Sequence, residues 1–160
     1  MSRFAVVGFP KCGTMSMVEW LKKRHPKAEI TRPENIYIED KVDWSKWECV
    51  AITRDPMKRL LSGHGYFTQL RGLDVNDLLK GYGKGYRNVG FENPIEQSDY
   101  NKYIARFEHK HGVKVKVYRF EDMIKDSDFP HINDTQYKKI WNEKEKKLVK
   151  SQLESHGIVY

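Results

Sequence analysis

Hydrophobic and polar positions along this 160-residue chain follow two alternating patterns. Short continuous apolar runs, Phe4 to Phe9 (FAVVGF) and Glu48 to Thr53 (ECVAIT), have the character of strands buried on both faces. Val113, Val115 and Val117 alternate with Lys114 and Lys116, which predicts a strand with one wet face or a place near a sheet edge. A brief strand is expected near Ala28 to Thr31. Between the strands the spacing turns helical. Met17, Val18 and Leu21 predict a helix over Thr14 to Arg24, ended by His25-Pro26. Asp55-Pro56 reads as an N-cap with a first-turn proline, and starts a helix expected to reach about Leu70.

Downstream, a short helix near Val75 to Leu79 is embedded in a Gly- and Tyr-rich stretch, Arg71 to Asn93, read as a mobile loop able to act as an acceptor lid. Ser98 is expected to cap a helix whose core stripe is Tyr100, Tyr103, Ile104, Phe107 and His111, with Gly112 closing it. A last helix, about Asn142 to Ser155, points Leu148, Val149 and Leu153 inward and its lysines outward. Strands alternating with helices predict an α/β protein: a three-layer parallel sheet with helices on both faces, in a single domain spanning residues 1–160. Such sheets bind ligands at the carboxyl ends of their strands.

Composition narrows the partner. Charged residues make up 32%, and the net charge of +7 favours something anionic: nucleic acid, a phosphorylated co-substrate or an acidic glycan. No run approaches the roughly 18 apolar residues of a membrane span, and the start MSRFAVVGF lacks the features of a signal peptide, so no membrane partner is expected. Cys12 and Cys49 are the two cysteines; free thiols in a reducing, cytoplasmic compartment are the expectation.

Chemistry concentrates after the first strand. Gly8-Phe-Pro-Lys-Cys-Gly-Thr-Met-Ser16 sits between strand and helix, where consecutive amides and a helix N-terminus can wrap a phosphate. Its two glycines are spaced as in a Walker A loop, but Thr14 stands where the lysine of that loop would follow, and the lysine comes earlier, at Lys11. The second strand ends in Thr53-Arg54, a cation where a magnesium-binding NTPase wants a carboxylate.

At these residues the chain resembles the sulfotransferases that use 3′-phosphoadenosine-5′-phosphosulfate (PAPS). Pro10-Lys11-Cys12-Gly13-Thr14-Met15-Ser16 is similar to that family's P-K-x-G-T-T/S motif. Arg54-Asp55-Pro56-Met57-Lys58-Arg59-Leu60-Leu61-Ser62 is similar to its R-x-P-x-x-R-x-x-S motif, about 40 residues further on and again at a strand-to-helix junction. Ser98-Asp99-Tyr100, Tyr118-Arg119-Phe120-Glu121-Asp122 and His131-Ile132-Asn133 look like carbohydrate-type members. The resemblance implies a P-loop-like sulfotransferase fold and metal-free transfer of a sulfuryl group from PAPS to an acceptor hydroxyl, with PAP as product and a carbohydrate as the favoured acceptor. It places Pro10, Lys11, Cys12, Gly13, Thr14, Met15 and Ser16 around the 5′-phosphate, and Arg54 and Ser62 on the 3′-phosphate. Met15 stands where the family often carries Thr, and the family's basic glycine loop near the C-terminus is not recognisable here; the chain is also short for the family, which implies missing acceptor-binding insertions and an open cleft, or a site completed by a second subunit in a homo-oligomer.

The acceptor must lose a proton, which calls for a general base. Glu34, in Arg32-Pro-Glu-Asn-Ile-Tyr37, looks like the E-x-x-F/Y element that carries the base in some glycan sulfotransferases; His64 is the second candidate, and Lys11 completes the catalytic set. The bland readings lie close by. His109-Lys110-His111 is more simply a helix end than a metal site, and the lysines of the last helix, interleaved with Glu143 and Glu145, are a solvated face. Two other functions fit the same composition: a small P-loop kinase using ATP and magnesium, and a non-catalytic basic module binding nucleic acid. The first misses the Walker lysine, and the second leaves both motifs unexplained.

Overall fold

The computed structural model describes residues 2–9, 12–32, 42–60, 75–80, 95–130 and 141–160. The first apolar run becomes β1 (Arg3–Val6), with Ala5 and Val6 fully buried. Its neighbours are β2 (Glu29–Thr31) on one side and β3 (Glu48–Thr53) on the other, and β4 (Val115–Arg119) pairs with the far side of β3. The order is β2-β1-β3-β4, and every pairing is parallel. The protein is therefore an α/β protein with a four-stranded all-parallel sheet and helices. Parallel neighbours need long crossovers, and these runs are separated by helices as that requires. The continuous apolar character of β3 matches its central place: Cys49 to Thr53 are all buried.

The chain divides into two compact units, Met1–Arg54 with Tyr100–Ile132, and Asp55–Asp99 with Asn133–Tyr160. The first holds the sheet. Its helix α1 (Thr14–Arg24) buries Met17 and Leu21, and ends in Lys22, Lys23 and Arg24, where cations suit the helix dipole. Arg24 pairs with Asp126 at 3.0 Å. The expected strand of alternating valines lies at the sheet edge, as β4, but the alternation misjudges its burial. Val115 is 9% exposed and Val117 46%. An edge strand has one neighbour, so what covers each face decides burial, and period-two spacing does not carry that information.

The second unit is helical where described. Residues 56–60 form the start of the helix expected after Asp55-Pro56. Asp55 Oδ1 accepts from the Met57 amide at 3.3 Å, so the N-cap is realised. Helix α2 (Val75–Lys80) lies where a short helix was expected. Most of the surrounding loop and residues 61–70 lie outside the described residues. Helix α3 (Tyr100–His111) belongs to the sheet unit and buries Tyr100, Tyr103, Ile104 and Phe107. Gly112 closes it, with the Val113 amide donating to the Glu108 carbonyl at 3.2 Å. Ser98 is not its cap. It ends a 3-10 turn, Glu96–Ser98, and Asp99 intervenes before the helix. After β4 comes the single turn α4 (Phe120–Met123).

Helix α5 (Glu143–Ser155) opens with a reciprocal capping box: Glu145 N donates to Asn142 Oδ1 at 2.8 Å, and Asn142 N to Glu145 Oε1 at 3.3 Å. It packs Val149 and Leu153 with Leu60, Val75, Ile95 and Trp141 into one apolar cluster. Leu148 is 39% exposed, contrary to expectation. Val149 and Leu153 stack four residues apart on one face, and Leu148 sits about 100° round from Val149. Arg59 is buried in this unit at 2% exposure, donating to Gln97 Oε1 at 3.2 Å and to Ser98 Oγ at 3.0 Å.

Candidate functional site

Because β1 and β3 are parallel neighbours, the segments leaving their carboxyl ends emerge side by side. The β1 exit runs on through Val7, whose amide donates to the Val50 carbonyl at 2.9 Å, and into the glycine loop. Gly8 is required by close approach: a Cβ there would stand 2.7 Å from Thr14 Cγ2. Gly13 is required twice over. Its φ is +93°, and a Cβ would stand 2.9 Å from Cδ2 of Phe120. Gly13 is also the N-cap of α1, and it has no side chain with which to cap; no acidic residue occupies the first turn. The positive end of the helix dipole is therefore not offset by a carboxylate of its own first turn.

The β3 exit delivers Arg54, half-buried, with its guanidinium carbon 4.6 Å from the centre of the Phe120 ring. Phe120 thus backs both Gly13 and Arg54. Tyr100 links the same two segments by a different route. Its hydroxyl donates to the Arg54 carbonyl at 2.7 Å and accepts from the buried Cys12 thiol at 3.7 Å. Phe9, fully buried, packs edge-on against the Tyr100 ring with centroids 4.8 Å apart. An aromatic body fills the core while its polar tip satisfies backbone at the sheet rim.

Of the expected binding residues, Cys12, Gly13, Thr14, Met15, Ser16 and Arg54 all lie at the carboxyl edge of the sheet. Thr14 is half-buried, Met15 is 43% exposed and Ser16 is 3% exposed. Pro10, Lys11, Glu34, Ser62 and His64 lie outside the described residues. Tyr100 and Phe120 were read from sequence as a core position and as part of a resembling segment, and their work in joining the two motifs was missed. The signal available was an aromatic with a polar tip at a helix start, and an aromatic directly after a strand.

Both cysteines are buried free thiols. Burial pushes the Cys49 thiol up to about 11, so it is a core residue and no nucleophile at neutral pH. Among the described residues no three of His, Cys, Asp and Glu are grouped to hold a metal ion, His109 and His111 included. Among them, too, no helix is long and apolar enough to cross a membrane. Protein-family models were searched and none matches the chain, and no curated protein matches it.

Proposed function

We propose that this protein is a PAPS-dependent sulfotransferase acting on a carbohydrate hydroxyl, on a P-loop-like fold with helices on both faces of its sheet. One observation carries the reading: the two resembling motifs leave adjacent parallel strands, and Tyr100 and Phe120 tie Cys12 and Gly13 of the first to Arg54 of the second. An anionic co-substrate with phosphates at two ends needs positive groups at two neighbouring strand tips, and this arrangement has them in order.

Sulfuryl transfer asks for positioning and charge stabilisation more than for covalent work. The bond from sulfur to the 5′-phosphate oxygen breaks as the bond to the acceptor oxygen forms, and the acceptor proton passes to a base. Glycine-loop amides, the N-terminus of α1 and Lys11 meet the charge that grows on the leaving phosphate. Arg54 holds the 3′-phosphate, which ATP lacks, with Ser62 assisting. Glu34 is the first candidate for the base and His64 the second.

Calorimetric titration with PAP and with ATP plus magnesium tests the assignment, alongside Arg54→Ala. PAP is expected to bind more tightly than ATP, and Arg54→Ala to weaken PAP at least tenfold while leaving AMP, which has no 3′-phosphate, nearly unaffected. Tighter binding of ATP with magnesium would make the chain a kinase-like protein. An unchanged PAP affinity in Arg54→Ala would remove the second motif from the site. Transfer of label from radiolabelled PAPS to a panel of glycans, phenols and small alcohols then identifies the acceptor class.

A further inference from the structure

A pocket of about 660 Å³ opens on one face of the sheet, running from the amino ends of β1 and β3 along β4 as far as Tyr118, next to the last residue of that strand. Its strand residues include Phe4 of β1, Glu48 of β3 and Lys116 of β4, with Lys114 on the approach to β4. None of the described glycine-loop residues lines it, nor does Arg54. Phe4 is in register with Glu48, and Val50 with Lys116, so these side chains and Tyr118 share one face of the sheet. Helix α1 contributes Trp20, and His25 follows its last turn.

The lining has a composition that a core does not need. Val50, on the same face, is 3% exposed, yet its in-register partner on β4 is a lysine. Neither Lys114 nor Lys116 forms an ion pair among the described residues, and Glu48 forms none either. The Lys116 ammonium stands 5.1 Å from the Tyr118 ring, and Tyr118 meets Trp20 edge-on at 5.9 Å. Two ammonium groups without an ion pair among the described residues, one carboxylate and a pair of half-buried rings thus surround a space in the usual size range of small-ligand sites.

We infer that this pocket binds an acidic saccharide. A sugar ring lies against the aromatic pair, its carboxylate or sulfate is met by Lys114 and Lys116, and its hydroxyls donate to Glu48. A nucleic-acid strand suits the site less well, because Glu48 accepts from hydroxyls, which a saccharide presents around its ring and a nucleotide strand largely lacks. The inference stands apart from the sulfotransferase reading, since no described residue of either motif lines the pocket.

The test titrates the whole chain with a heparin-derived tetrasaccharide, followed by amide NMR shifts and calorimetry, and compares Lys114→Glu/Lys116→Glu, two exposed positions where folding is retained, with Tyr118→Ala. Expected are shifts clustered at residues 112–118 and 20–25, and binding weakened at least tenfold by the double variant and severalfold by Tyr118→Ala, with PAP binding unchanged in the double variant. The inference is overturned if the shifts fall elsewhere, if the double variant binds the tetrasaccharide as the parent does, or if a single-stranded oligonucleotide of equal charge binds the same residues more tightly. PAP failing to bind the parent protein would sink the sulfotransferase reading and leave this one standing.

Discussion

The sheet unit and the helical unit each receive one arginine of the same nine-residue motif and treat it in opposite ways. In the sheet unit, Arg54 follows the last residue of β3, half-buried over the Phe120 ring, with its backbone carbonyl tied to Tyr100. In the helical unit, Arg59 is sunk to 2% exposure and its guanidinium donates to the neutral acceptors Gln97 and Ser98. A motif letter therefore does not say whether a cation serves a ligand or the scaffold. Depth and partners decide it, because a guanidinium taken out of water must spend its donors internally, whereas one at a strand tip stays partly in water.

Arg59→Ala attacks that contrast most directly. Removing two hydrogen bonds from a charged donor and leaving the Gln97 oxygen without this partner is expected to cost about 3 kcal/mol in urea unfolding. A loss under about 1 kcal/mol would place Arg59 among ordinary surface cations and erase the difference between the units. Arg59→Lys should recover only part, since a single ammonium does not reproduce the planar fork.

On the sheet side, Gly13→Ala is expected to cost about 2 kcal/mol, from a side chain forced to positive φ and a Cβ pressed on Phe120. Making the same change with Phe120→Leu separates the two causes: the steric part should relax and about 1 kcal/mol of conformational cost should remain. A Gly13→Ala protein as stable as the parent would mean that the turn adopts another conformation. The smallest effect expected is that of Tyr100→Phe, which deletes the hydroxyl between Cys12 and the Arg54 carbonyl while keeping the ring against Phe9. It should lower stability by about 1 kcal/mol, read by thermal denaturation, and an unchanged midpoint would show that the 2.7 Å bond contributes nothing net.

Much of the fold was legible locally. The limits of α1 and β3 fall at the residues that their patterns indicate, and the helix start after Asp55 follows its cap. Errors came where a residue's fate rested on a neighbour remote in sequence. Ser98 has the chemistry of a cap but accepts from Arg59, 39 positions away. Leu148 and Val117 are apolar letters in the right rhythm, left exposed because nothing described covers them fully. In the candidate site, the glycine loop and the cation at the strand end were both readable as anion-binding chemistry, and their place at one sheet edge followed from the strand–helix alternation.

Local rules settled where strands and helices begin, which faces are mostly apolar, and which segments carry positive charge beside a glycine turn; all of these depend on residues within a turn or two of one another. Only the tertiary structure decided that the order is β2-β1-β3-β4, which brings the exit of β1 beside the exit of β3. It alone brought Tyr100 to Cys12 across 88 positions and to Arg54 across 46, and put two lysines and a carboxylate around a pocket on one face of the sheet. The reason is physical: contacts between distant residues are selected by packing of the whole sheet unit, and a short window of sequence holds only one side of each.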